Sequence, residues 1–307
     1  MRLLLAGTPS VSVPIFEAVV SSELDVIGVI TNPPRAQGRS VTPVPSPVSQ
    51  WAHAHSLKVF ESGTSEEYIP ALHSADIVLV VAYGQLIPQV LLDIPKHGWV
   101  NIHFSHLPEA RGAAPVQRLI QSGAQSIGFT LFQMESGMDT GPIFYKSDPI
   151  PISGLTTGEV WEELAEQASG SIVKLLNDID EGVKPTPQER YLGPLPLAPK
   201  IASEVARINW DTTDVEVINH VLALNPTACA WTSFRGERFI IHRARKSSHT
   251  FSEENYYGAI YHERESVHVS CGQGAVELLE VQPAGKKKIA ASDWLRGAQL
   301  SPGEKFE

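Results

Sequence analysis

Short apolar runs alternate with longer amphipathic stretches through the first two-thirds of the 307-residue chain. The predicted strands are Arg2–Ala6, Asp25–Thr31, Ile77–Ala82, Val100–Phe104, Gly128–Gln133 and Pro142–Tyr145. The predicted helices lie near Pro14–Ser22, Pro47–His55, Glu66–His73 and Ala114–Ser122, with a longer one from Thr157 to Asp180. Apolar strands of this length, interleaved with helices, predict an α/β fold with a doubly wound, mostly parallel sheet.

A proline-rich segment, Lys184–Lys200, ends this alternation. Proline fixes φ and removes a backbone donor, so the segment favours neither helix nor central strand and predicts a semi-rigid linker. Beyond it, a helix near Val215–Leu224 precedes short segments punctuated by glycine, which are Ala230–Phe234, Phe239–Arg245, Gly258–Tyr261, Ser266–Cys271 and Ala275–Val281. Short strands at this spacing predict a small barrel or sandwich. We therefore expect a first domain over 1–189, a linker over 190–206 and a second domain over 207–307.

Composition excludes several classes of protein. Hydrophobic residues make up 42% of the chain, which is enough for a core and argues against disorder. The longest apolar run, around Ile77–Ala82, is far shorter than the ~20 residues needed to span a bilayer. The N-terminus reaches a polar turn too early for a signal peptide, and Cys229 and Cys271 suggest neither a disulfide framework nor metal-ligand spacing. We expect a cytoplasmic protein with no metal and no membrane contact.

The formal net charge of −10 is unevenly distributed. Residues 1–206 carry 12 basic and 21 acidic side chains, whereas residues 207–307 carry 12 basic and 13 acidic ones. The balance argues mildly against nucleic-acid binding by the first part and leaves the question open for the second.

The stretch from Asn101 to Pro108 carries the most chemical information. Strand alternation predicts Asn101 and His103 on one face of the sheet, at the end of a strand where open α/β sheets bind ligands. Further along, Asp139 lies in a loop bounded by glycines. Spacing alone supports two interpretations equally. Either the three residues form an active site, or Asn101 and His103 satisfy loop backbone while Asp139 shapes a turn.

Motifs throughout the chain resemble those of the 10-formyltetrahydrofolate-dependent formyltransferases, whose catalytic trio is Asn, His and Asp. In the first part they are Ala6-Gly7-Thr8-Pro9, Ala82-Tyr83-Gly84 with Ile87-Pro88, Asn101-x-His103-x-Ser105-x-Leu107-Pro108, and Arg111-Gly112-Ala113-Ala114-Pro115-Val116-Gln117-Arg118. In the second part they are Ile208-x-Trp210, Asn225-Pro226, Ala230-Trp231-Thr232, Val281-Gln282-Pro283-x-Gly285-Lys286-Lys287 and Leu295-Arg296-Gly297. The resemblance covers nearly the whole chain.

The resemblance implies an OB-like C-terminal barrel and formyl transfer from 10-formyltetrahydrofolate to the methionine α-amine of initiator tRNA by a monomer. Asn101 would donate to the formyl oxygen, His103 would move protons, and Asp139 would orient His103. The tetrahydrofolate site would include Ser105, His106, Leu107 and Pro108. His106 stands where the family usually has leucine, and we expect it to be a packing or solvent-facing substitution.

The predicted tRNA contacts are all basic, and they are Arg35, Arg39, Arg235, Arg238, Lys286, Lys287 and Lys288. The loop from Asn32 to Pro47 resembles an insertion that contacts the acceptor stem, although Ser40, Val41 and Thr42 replace its usual lysines. Two alternatives remain: a formyltransferase for a small amine, such as a nucleotide-linked amino sugar, and a catalytically idle tRNA- or folate-binding protein. The C-terminal motifs and the Arg39 loop favour tRNA over a small amine, and the intact trio argues against an idle protein.

Overall fold

The computed structural model describes residues 1–36, 42–61, 67–190, 196–251 and 257–307, apart from the side chain of Ser203. Two compact units emerge. One comprises Met1–Pro115, Ile127–Ile150 and Trp161–Pro199, and the other comprises Val116–Ser126, Pro151–Val160 and Lys200–Glu307. These units differ from the predicted domains because short pieces of the first two-thirds of the chain cluster with the C-terminal residues.

The sheet of the first unit is mostly parallel, as predicted. Strands of this part of the chain are β1 (Arg2–Gly7), β2 (Asp25–Ile30), β3 (Arg35–Ala36), β4 (Pro43–Val44), β5 (Val59–Phe60), β6 (Ile77–Val81), β7 (Trp99–His103), β8 (Ser126–Ile127), β9 (Thr130–Gln133), β10 (Ile143–Lys146) and β11 (Ile150–Pro151). The main sheet has the order β10-β9-β7-β6-β1-β2-β5. Its strands β7, β6, β1, β2 and β5 run parallel, whereas β9 and β10 are antiparallel additions at one edge.

The helices of this part are α1 (Val13–Val20), α2 (Pro47–Ala54), α3 (Ile69–Leu72), α4 (Gln89–Leu92), α5 (Pro115–Gln121) and α6 (Thr157–Asp180), and all but α4 were predicted. A short 3₁₀ helix, Ser10–Ser12, precedes α1. Every residue of β6 is buried, as expected for a central parallel strand. Helix α6 has its predicted bounds and begins with a capping box. The Glu159 carboxylate accepts from the Thr156 backbone N–H at 2.7 Å, and the Thr156 hydroxyl accepts from the Glu159 N–H at 3.3 Å.

The second unit contains an antiparallel sheet that curls into an open, OB-like half-barrel. Its further elements are a 3₁₀ helix (Ser203–Ala206), α7 (Asp214–Leu224), β12 (Trp231–Phe234), β13 (Glu237–Lys246), β14 (Ile260–Glu263), β15 (Ser266–Ser270), β16 (Ala275–Gln282), β17 (Ile289–Ala290) and α8 (Ala291–Ala298). The strands follow the order β12-β13-β16-β15-β14, and β17 pairs with β16. Trp210, Trp294 and Phe306 are buried in its core, where Trp210 stacks on Phe306 at 5.8 Å. Trp210 and Trp294 therefore pack the core, whereas Trp231 is half-buried.

Part of the proline-rich segment is docked on the first unit, where the sequence predicts a linker. The Ala198 N–H donates to the Arg111 carbonyl at 2.7 Å, and the Ala198 carbonyl accepts from the Ala114 N–H at 3.0 Å. The Pro196 carbonyl accepts from the Ala110 N–H at 3.0 Å. Proline keeps its carbonyl acceptor, and residues between prolines keep their donors, so a segment unsuited to a central strand still binds a loop edge.

No helix within the described ranges is both long and apolar enough to cross a membrane. The same ranges contain no group of three or more His, Cys, Asp or Glu side chains arranged to hold a metal ion.

Candidate active site

The candidate site is built around β7, next to the point where the strand order of the sheet reverses. Strand β1 pairs with β2 on one side and with β6 on the other, and β7 follows β6. Ligands of open α/β sheets bind outside the carboxyl ends of strands at such a reversal. Asn101 and His103 lie in β7, where Asn101 pairs with Val80 and His103 with Thr130.

His103 is a buried imidazole with a defined orientation. Its side chain is 6% exposed, and the ring meets Phe132 edge-on at 6.4 Å between centroids. The Nε2 atom lies 3.0 Å from the carbonyl oxygen of Ala110. Because a carbonyl only accepts, Nε2 carries the hydrogen, and Nδ1 is the basic atom of the neutral ring.

The opposite nitrogen of the same ring faces an acid. Nδ1 of His103 lies 3.7 Å from Oδ2 of Asp139. Burial lowers the pKa of His103, and the Asp139 carboxylate and the bond to the Ala110 carbonyl offset this only in part. The imidazole is therefore neutral near pH 7, and a proton taken up at Nδ1 would face a negative charge.

Asp139 reaches His103 through a loop that returns toward the end of β7. Strand β9 runs antiparallel to β7, so the loop after Gln133 begins beside Val100, near the start of β7. Asp139 has a φ of +52°. Its Oδ2 accepts from the Gly112 N–H at 2.8 Å. Two separate loops, before α5 and before β10, thus meet at one carboxylate.

Gly112 has to be glycine at this junction. Its φ of +129° disfavours any residue with a side chain, and an added Cβ would lie 2.5 Å from the Ala198 carbonyl oxygen. The docked proline-rich segment therefore determines which residue can present its N–H to Asp139.

Asn101 is half-buried, and its side-chain amide has no hydrogen-bond partner within the described part of the chain. An amide on the same strand as the basic imidazole offers two N–H donors to a bound molecule. The structure thus brings His103 and Asp139 together and places Asn101 two residues before His103. Their catalytic roles stay predictions at this point.

The predicted folate-site residues 105–108 differ in what they offer a ligand. The Ser105 hydroxyl donates to the Glu109 carbonyl at 2.6 Å, and the Leu107 N–H donates to the Thr130 hydroxyl at 3.1 Å, with both side chains fully buried. These two residues shape the loop. Pro108 lies on the wall of a cavity of about 470 Å³, whose other lining residues are Arg111, Glu135, Thr140, Pro142, Pro187, Gln188, Glu189 and Arg190.

His106 contacts residues that directly follow two strands, Ser147 after β10 and Gly128 after β8. Its Nε2 donates to the Ser147 carbonyl at 2.9 Å. A Cβ on Gly128 would overlap the His106 ring, so the absence of a side chain at Gly128 leaves room for the imidazole. His106 is half-buried, and its place in the folate site stays a prediction.

Two of the five predicted tRNA contacts in the second unit, Arg235 and Lys288, are already paired with acids. The Arg235 guanidinium contacts the Glu304 carboxylate at 2.6 and 3.0 Å, and Lys288 contacts Glu280 at 3.0 Å. Three further cations of this part, Arg243, Arg245 and Lys246, pair with Glu159, Glu277 and Asp214. A cation held by a carboxylate is less available to phosphate, because it must give up that partner.

Arg238, Lys286 and Lys287 are exposed and have no ion pair with any described residue. The Arg238 guanidinium lies 4.8 Å above Trp231, and Arg207, which sequence reasoning missed, lies 5.6 Å from the same ring. Arg207 directly precedes the Ile208-x-Trp210 motif in the sequence. Arg35 is exposed in β3, and Arg39 lies outside the described residues.

Comparison with known proteins identifies the class. The formyl transferase family model matches residues 1–176, and the model of the formyl transferase C-terminal domain matches residues 200–299. The chain belongs to the formyl transferase family.

Curated relatives that align over nearly the full length of this chain show which members of the family it is similar to. The chain is 38% identical over 321 residues to the methionyl-tRNA formyltransferase of Cutibacterium acnes, with all of both chains covered. It is 40% identical over 311 residues to the enzyme of that name from Streptomyces avermitilis, with 99% of both chains covered. Among solved structures, HypX from Aquifex aeolicus in complex with tetrahydrofolic acid has a TM-score of 0.68 at 18% identity. That likeness covers 99% of this chain and 48% of HypX, and it supports the fold alone.

Proposed function

We propose that this protein transfers the formyl group of 10-formyltetrahydrofolate to the α-amino group of methionine on initiator tRNA. The full-length relatives named methionyl-tRNA formyltransferase support this activity. The observation that carries the chemistry is that the basic Nδ1 of His103 faces Asp139, and that the same strand bears Asn101, whose amide has no hydrogen bond to a described residue.

The residues around the site fit a folate. Leu86 and Met138 are 81% and 57% exposed, and they follow the end of β6 and precede Asp139 respectively. Exposed apolar side chains in these two loops would suit the flat aromatic part of such a ligand. When bound, 10-formyltetrahydrofolate would supply an activated formyl group on a nitrogen that leaves with a proton.

Each member of the trio then has one task. The Asn101 amide would donate to the formyl oxygen as negative charge develops there during attack by the amine. Nδ1 of His103 would take a proton from the attacking amine and return one to the departing nitrogen. Asp139 would stabilise the imidazolium between these two transfers. Because neutral donors meet the developing charge, this mechanism needs no metal. We also propose that the enzyme is monomeric and cytoplasmic.

Four exposed cations of the second unit that have no ion pair with a described carboxylate are the proposed tRNA contacts there, namely Arg207, Arg238, Lys286 and Lys287. Two of them, Arg207 and Arg238, lie over the same ring, that of Trp231. Grouped cations without acidic partners suit a phosphate backbone. Arg35 and Arg39 are proposed to contact the tRNA from the first part of the chain.

Single-turnover formylation tests the proposal. Purified protein with 10-formyltetrahydrofolate should formylate methionyl initiator tRNA, and a nucleotide-linked amino sugar at the same concentration should react far more slowly. A His103→Ala variant is the control, since its turnover should fall by roughly 10²–10⁴-fold. Faster reaction of the amino sugar would support the small-amine alternative, and no reaction with either would support an idle binding protein.

A further inference from the structure

Gln188 lies in the proline-rich segment, and both its amide nitrogen and its amide oxygen are hydrogen-bonded to other protein groups. Its Nε2 donates to the carbonyl oxygens of Asp139 and Gly141, each at 2.8 Å. Its Oε1 accepts from Nη2 of Arg111 at 2.5 Å. Carbonyls only accept and a guanidinium only donates, so the orientation of the amide is set by its partners.

These three bonds join the two loops that meet at the Asp139 carboxylate. One bond holds the backbone of Asp139 itself, a non-glycine residue at φ +52°, a conformation that costs on the order of 1 kcal/mol or more without support. Another holds Arg111, whose neighbour Gly112 donates its N–H to the Asp139 carboxylate. Gln188 is therefore bonded on both sides of the contact that orients Asp139.

We propose that Gln188 is a positioning residue that holds the Asp139 carboxylate against Nδ1 of His103. This inference rests on the proposed function, in which Asp139 stabilises protonated His103. Gln188 lines the cavity beside Pro108, but all of its polar hydrogens and its oxygen face protein partners. It therefore acts through Asp139 and Arg111.

Two substitutions distinguish the hydrogen bonds that Gln188 donates from the one that it accepts. Gln188→Glu keeps the length of the side chain and an acceptor for Arg111, but it replaces the donors with oxygens that the Asp139 and Gly141 carbonyls repel. Gln188→Ala removes all three bonds. Thr186→Ala is the matched control, because Thr186 is an exposed residue of the same segment whose hydroxyl makes one long bond of 3.4 Å to Ile143.

The first readout is kinetic. Both Gln188 variants should lower kcat by about 10–100-fold with KM for both substrates nearly unchanged, since a misplaced group costs this much. Thr186→Ala should match the wild type. A higher KM at unchanged kcat would show that Gln188 contacts substrate. A wild-type kcat in Gln188→Glu would mean that only the bond from Arg111 matters and that the bonds to Asp139 and Gly141 do not. Either result overturns the proposal.

The second readout needs no turnover and so separates this inference from the proposed function. Titration of the His103 imidazole by NMR should give a lower pKa in Gln188→Ala, because a displaced Asp139 stabilises the imidazolium less. Gln188→Glu is not used for this readout, since its added carboxylate would itself raise the pKa of His103. An unchanged His103 pKa in a folded Gln188→Ala variant would contradict the proposal. If the wild-type protein formylates neither tRNA nor amino sugar while this pKa shift occurs, the proposed function fails and the positioning role stands.

Discussion

The Nε2 atom of His103 donates to the Ala110 carbonyl, and this one bond decides which nitrogen of the ring is basic. The ring cannot exchange its two nitrogens without breaking the bond inside a buried site. The proton-accepting nitrogen is therefore the one nearest Asp139, and the consequences can be tested by changing either end of that contact.

Asp139→Asn keeps the shape of the side chain and removes its charge. We expect kcat to fall by roughly 10²-fold, and the acidic limb of the pH profile to move to lower pH, because the imidazolium loses its counter-charge. The profile should be measured by single-turnover formylation from pH 5 to 8. An acidic limb at the wild-type position would mean that Asp139 does not influence His103.

Stability should fall in mild acid because His103 is held neutral. Its pKa is lowered in the folded state, so the unfolded chain binds the proton more readily below its ordinary value of about 6.5. This contribution is complete above that pH and is lost as the pH falls through the lower folded pKa. Urea unfolding at pH 7.5 and 5.5 should show a smaller loss in His103→Gln than in the wild type. Equal losses would mean that His103 does not contribute.

Gly112→Ala should damage both the fold and the site. The new Cβ would press on the Ala198 carbonyl at a φ that alanine resists, so we expect a loss of about 1–3 kcal/mol in the free energy of unfolding, with lower kcat. Gly182→Ala is the control, because Gly182 has a φ of +100° with open space around it. An equal loss in both variants would assign the effect to backbone conformation alone.

Cations without acidic partners should dominate the salt dependence of tRNA binding. Arg238→Ala, and a Lys286→Ala, Lys287→Ala double variant, should each weaken binding and flatten the log–log salt dependence by up to ~0.7–0.9 for every phosphate that the variant no longer neutralises. Arg245→Ala should change little, since Arg245 is bound by Glu277 at 2.8 and 2.9 Å. An equal effect of Arg245→Ala would show that a carboxylate partner does not withhold a cation from RNA.

Elements with a repeating pattern were predictable from the sequence. Strand β6 ends one residue earlier than predicted, and α6 has its predicted bounds, because a continuous apolar run of strand length and the repeat of a long amphipathic helix are both visible in the sequence. Two-residue strands such as β3 and β5 leave none. The predicted helix over Glu66–His73 is the shorter Ile69–Leu72, and residues 62–66 lie outside the described ranges.

The site was only partly predictable. Strand alternation relates Asn101 to His103, but the approach of Asp139 depends on a loop that returns past the strand it follows. Gln188 makes its contacts through one side-chain amide over separations of 49 and 77 residues, which no local pattern records. Likewise, the sequence shows the cation Arg235 but not its partner Glu304, 69 residues away.

The contacts that Gln188, Pro196 and Ala198 make with earlier loops also imply an order of events during synthesis. The β7 strand and the Asp139 loop leave the ribosome well before Gln188 and Ala198 do, yet their final contacts require those later residues. A nascent chain that ends near residue 180 would contain every strand of the main sheet, but its active-site loops would lack the contacts of Gln188 and Ala198. The nascent protein should therefore become able to bind and formylate its substrate late, when Gln188 and Ala198 emerge and contact loops that have already formed.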